Sequence, residues 1–205
     1  MGNDRSKKYD LTIRPQNPPI IAIDSRFAMS HQVTLLMNSE FWTGDFHFKD
    51  SKTEAIYFTT KKTTSFGSSQ KKMLLDHDGK PIANFKHRSE AYDVYRGQSS
   101  DNHAFRIEQE SIQKSYVLLA AIINQSTGQR LMLHVRGDSK SVYIFKGHPK
   151  QDGQAIASVS TNGGFFESTG YTLCVAPGVD LAMIVFLVMA FHEARESNQR
   201  DLMDD

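Results

Sequence analysis

Leu181-Ala182-Met183-Ile184-Val185-Phe186-Leu187-Val188-Met189-Ala190-Phe191 is an unbroken apolar run near the end of the chain. It follows a long stretch that reads as strands and tight turns. The run is apolar on every face, so a helix built from it has to be buried all round. Pro177 is expected just inside the helix start, where a missing N–H costs nothing. Asp180 is expected in the first turn, where a carboxylate meets the positive end of the helix dipole. At about 1.5 Å per residue the run covers roughly 16 Å, against about 30 Å of hydrocarbon in a bilayer. It therefore reads as a core helix and not a membrane span. One fully buried helix after many strands predicts a closed barrel with the helix in its lumen.

The strands are read from period two. Phe46 and Phe48 alternate with His47 and Lys49, and Ile56 and Phe58 with Tyr57 and Thr59. The same pattern recurs at Phe105–Ile107, Leu131–Val135 and Val142–Ile144. Tyr116 to Ile123 is continuously apolar and open to a helical reading, but its β-branched residues and the turn after it favour a buried strand. Asp78-Gly79, Thr127-Gly128 and Asp152-Gly153 fall between strand patterns, and glycine supplies the positive φ of tight hairpins. About a dozen strands result. Closing them removes the exposed edges that invite aggregation.

The chain has 24 Lys and Arg against 23 Asp and Glu, a net charge of +1, so no global field draws it to nucleic acid or membrane. Any charge-driven partner has to be recognised by a local patch. Cys174 is the only cysteine, which excludes an internal disulfide and favours a reducing compartment. It reads as a small hydrophobe in a strand facing the core. The polar N-terminus shows no secretory signal. Three segments follow: a flexible arm at 1–17, one barrel domain at 18–196 and a polar tail at 197–205.

Several stretches carry a family resemblance. They are Pro19-Ile20-Ile21-Ala22-Ile23-Asp24-Ser25-Arg26-Phe27, Asp45-Phe46-His47-Phe48-Lys49-Asp50, and Leu74-Leu75-Asp76-His77-Asp78-Gly79-Lys80-Pro81-Ile82. Tyr92-Asp93-Val94-Tyr95-Arg96-Gly97 and Val175-Ala176-Pro177-Gly178-Val179-Asp180-Leu181-Ala182 complete the set. In this order they resemble the LURP-one-related family, which belongs with the tubby C-terminal domains and phospholipid scramblases. The resemblance implies a twelve-stranded antiparallel β-barrel around a central hydrophobic helix. It also implies a non-catalytic, membrane-peripheral phospholipid- or phosphoinositide-binding or scaffold role. The alternative is a soluble protein–protein interaction module with no lipid ligand. The tubby phosphate-binding residues do not map onto this sequence position by position, so none is carried across. The scramblase calcium site has no recognisable counterpart either: Asp76-His77-Asp78-Gly79 starts like a calcium loop, but His87 stands where the closing Glu belongs.

Two segments suggest attachment to anionic lipid. Met1-Gly2-Asn3-Asp4-Arg5-Ser6 fits the N-myristoylation pattern with Gly2 as acceptor, followed by Lys7 and Lys8. One myristoyl chain binds only marginally, so a second signal is needed. Lys61, Lys62, Lys71 and Lys72 flank Thr63-Thr64-Ser65-Phe66-Gly67-Ser68-Ser69 and are the headgroup-binding candidates, with Phe66 dipping into lipid. The same stretch also reads as a solvated hairpin loop. Lys86, His87 and Arg88 form a smaller basic patch. The eight histidines show no metal-ligand spacing, and neither a phosphate loop nor a nucleophile elbow is present. The sequence therefore predicts no enzyme, no metal and no cofactor. It predicts a cytoplasmic protein, at the inner face of a membrane if lipid-bound, with an anionic membrane surface or a protein as partner and no nucleic acid.

Overall fold

The structure, a computed structural model, describes residues 10–39, 45–63, 71–88, 91–110, 117–137, 141–161 and 171–201. The strands are β1 (Val33–Ser39), β2 (Phe46–Asp50), β3 (Ile56–Thr63), β4 (Lys71–Asp76), β5 (Pro81–Arg88) and β6 (Ala91–Arg96). They continue with β7 (His103–Glu110), β8 (Val117–Ile123), β9 (Arg130–Gly137), β10 (Ser141–Lys146), β11 (Gln154–Thr161) and β12 (Tyr171–Val175). Helix α1 (Leu181–Asp201) follows. Each strand pairs antiparallel with its neighbours in sequence, and β1 closes on β12 from Val33↔Val175 to Met37↔Tyr171. The expected twelve-stranded barrel is the fold, and Tyr116–Ile123 resolves as a strand from Val117.

Alternation puts one side chain in two inside. Leu35, Phe48, Phe58, Leu74, Ile107, Leu118, Leu133, Ile144 and Leu173 have no exposed surface. They surround α1, whose residues from Leu181 to Phe191 are all buried. Phe186 lies 5.8 Å from the Phe85 ring. Bulges adjust the wall. Register passes from Phe48↔Phe58 to Lys49↔Ile56, so Tyr57 is the extra residue and Ile56 turns to solvent. The alternation in sequence put Ile56 inside with Phe58. Outside, Cys174 pairs with Thr34 and Ser158 between the inward Leu173 and Val175, so it faces partly outward and not the core as expected.

The helix begins differently from its sequence reading. Asp180 is not in the first turn; it precedes the helix and caps it, accepting from the Ala182 and Met183 N–H groups at 3.0 and 3.3 Å. Its other oxygen accepts from Ala22, Ile23 and Asp24 at 2.6–3.1 Å. One carboxylate thus joins the helix start to the segment that enters the barrel. Pro177 lies in the turn before it, where Gly178 has φ +76° and a Cβ would meet the Gln16 carbonyl oxygen at 2.4 Å. Residues 10–17 of the expected arm pack on the barrel. Arg14 N–H donates to Ala155 O, Gln16 N–H to Pro177 O, and the Gln16 side chain is buried against Gln154. The boundary expected at residue 17 therefore falls within packed structure. At the other end, α1 continues through the boundary expected at 196.

At the hairpins, Asp76 Oδ1 accepts from Asp78 and Lys80 N–H, and Gly79 adopts φ +75°. The motif that began like a calcium loop is here a carboxylate-stapled turn. Gly153 is needed for a different reason from the positive φ expected: a Cβ there would meet the His148 carbonyl oxygen at 2.7 Å.

Candidate functional site

Cross-strand register lines up one row of outward residues over six strands: Lys71, Lys86, Asp93, Arg106, Ala121 and Met132, each the partner of the next. Side chains facing each other across a ladder sit about 5 Å apart, so such a row acts as one surface. Its centre is Asp93, whose side chain is only 4% exposed. Arg106 grips it with Nε and Nη2 at 2.7 and 3.1 Å. Arg88 Nε approaches its Oδ2 at 3.2 Å and His103 Nε2 its Oδ1 at 3.5 Å. The Arg106 guanidinium, aided by the other cations, holds the Asp93 carboxyl below the usual carboxylate range. The three basic side chains remain about half exposed. A buried anion here orients a larger number of solvent-facing cations.

The row continues the same charge. Lys86 lies 5.8 Å over the Tyr95 ring. Lys71 donates to the Gln98 carbonyl, and burial, then the neighbouring Lys86, lowers its pKa. Four fixed cations (Lys71, Lys86, Arg88, Arg106) against Asp93, Glu108 and Glu110 leave an excess of one on the outer face of β4–β7, gathered at the Asp93 end. Such a surface can accept phosphate or carboxylate groups from solution, with arginine forks favouring phosphate geometry.

The four lysines expected to bind headgroups do not converge. Lys61 faces outward opposite Met73 and is exposed. Lys62 is exposed at the barrel mouth, opposite Lys72. Lys71 joins the outer row. Lys72 turns inward and is buried: its Nζ lies 2.6 Å from Glu193 of α1 and 5.2 Å from the Phe46 ring. Lys72 is therefore a fastening of the helix and is withdrawn from the headgroup set. Gly2 and 64–70, including Phe66, lie outside the described residues. Sequence reasoning missed Asp93 on β6 and His103 and Arg106 on β7, which meet only through the register of the two strands.

Other chemistry is sparse among the described residues. No group of His, Cys, Asp and Glu is arranged to hold a metal. Near the helix exit, Tyr171 Oη and His192 Nδ1 are 3.3 Å apart, and burial, reinforced by Glu193, raises the Tyr92 phenol. A polar cleft of about 580 Å³ lies between the arm and the β10–β11 turn, but its Asp10 and Arg14 bind each other at 2.6 Å. His134 stacks edge-on to His148 at 5.2 Å, and burial lowers its pKa. No helix among the described residues is long and apolar enough to cross a membrane.

Comparison with known proteins agrees with the architecture. An X-ray structure of an Arabidopsis thaliana protein superimposes with a TM-score of 0.66, covering 85% of this chain and 98% of that one at 20% identity. That likeness is one of fold. No curated protein matches the chain. The sequence profile of the LURP-one-related family matches residues 31–192. The chain therefore belongs to the LURP-one-related family.

Proposed function

We propose that this is a non-catalytic, membrane-peripheral protein that binds anionic phospholipid headgroups at the inner face of a membrane. The observation that supports it is the cationic cluster gathered around Asp93 on the outer face of β4–β7. The cluster is pre-oriented by a buried carboxylate, which lowers the entropy lost on binding. A myristoyl group on Gly2 would add the second attachment that reversible membrane binding requires; intact-mass measurement on protein from its native cell detects it.

Each cation near an anionic leaflet contributes about 1 kcal/mol. Neutralising two, in Lys86→Gln/Arg88→Gln, should weaken binding to phosphatidylserine or phosphoinositide vesicles by about 2 kcal/mol, or roughly 30-fold. Vesicle flotation measures this. Wild-type protein that stays with the soluble fraction, yet captures a saturable protein partner, would favour the interaction-module reading instead.

A further inference from the structure

The outer row changes character halfway. Arg106 on β7 pairs with Ala121 on β8, which pairs with Met132 on β9. Two pairs along, on the same face, Ile123 stands opposite Arg130. Ile123 is 52% and Met132 39% exposed, two of only four large hydrophobic residues that stand in solvent among the described residues. The half-buried Ala121 joins them into one apolar island. Exposed Arg106 and Arg130 border it on either side.

We infer that this island is the part of the protein that enters a bilayer interface, with Ile123 and Met132 below the headgroups and Arg106 and Arg130 at their level. The inference rests on the membrane reading above and names its contact surface. A soluble polyanion has no use for exposed Ile and Met beside its cations. A membrane surface offers both complements in the right order, anionic groups outside and hydrocarbon beneath. Strands lie about 4.8 Å apart, so β7 to β9 span roughly 10 Å, a width that a tangent plane touches on a curved barrel.

The test is Ile123→Ser/Met132→Ser, two changes at exposed positions, measured against phosphatidylserine vesicles and against soluble inositol hexakisphosphate. Vesicle affinity should fall at least about tenfold, while the soluble anion binds as before. As a direct probe, Ile123→Cys in a Cys174→Ser background carries an environment-sensitive dye, which should shift to the blue on vesicles. Wild-type binding that the double substitution leaves unchanged, with no dye shift, overturns the inference while leaving lipid binding intact. Wild type that ignores vesicles altogether removes the membrane reading, and the inference with it. A wild-type homodimer that Ile123→Ser dissolves assigns the island to a second copy and likewise overturns it.

Discussion

Asp180 holds five backbone N–H groups with two oxygens and has no exposed surface. Burial pushes its carboxyl up to about 6, against the pull of those donors. The folded protein therefore takes up this proton more readily than the unfolded chain, whose Asp titrates near 3.8. Its contribution to stability is complete below about pH 4 and declines as pH rises to 6, by about 3 kcal/mol in all. Asp180→Asn does not titrate, so subtracting its stability from that of wild type at each pH isolates the effect in chemical denaturation. A difference that grows with pH over that window would reverse the assignment. The substitution should also cost about 2–4 kcal/mol at pH 7, because an amide NH2 must face donors. Sequence marked Asp180 as a helix-start carboxylate but placed it inside the first turn. Its partners Ala22–Asp24 are more than 150 positions away and leave no local signal. Lys72 is different: two positions before the inward Leu74, its own strand parity placed it indoors, and only its charge argued for solvent.

The ion pair between β4 and α1 fixes the helix at the mouth of the barrel. Removing one partner leaves a largely buried charge unmatched, whereas removing both leaves none. Lys72→Met should therefore destabilise by about 1–3 kcal/mol, and adding Glu193→Leu should restore most of that. Thermal melts of the two variants and wild type provide the comparison. A double variant no better than Lys72→Met would mean that the lysine acts through Phe46 and packing alone. Elements themselves were largely legible. Period two found the strands, and all-round hydrophobicity found the helix to Phe191. The continuation to Asp201 was not legible, because Arg195-Glu196-Ser197-Asn198-Gln199-Arg200 carries no apolar stripe. Bulges were equally hidden. Nothing around Ile56 announces that Tyr57 adds a residue and turns it outward.

At the scale of the whole molecule, closure was readable from one argument: a helix with no polar face needs a wall on every side. The outer row from Lys71 to Met132 was not readable, because it is assembled from six strands and exists only once every register between them is set. That row is where the function is proposed to lie, and it is also the feature least visible in the chain taken residue by residue.

The order of elements has a consequence for how the protein comes into being. The twelve strands precede α1, so during synthesis the wall emerges before the plug that fills it. Until α1 has also left the ribosome, the inward phenylalanines and leucines face an empty space that cannot remain dry and open. Chains released at Ala176 should remain degradable by protease and bind hydrophobic dyes, while chains released at Asp201 should resist both. Equal resistance would mean that the ribbons close on themselves unaided. A helix made after its wall decides whether that wall becomes a protein.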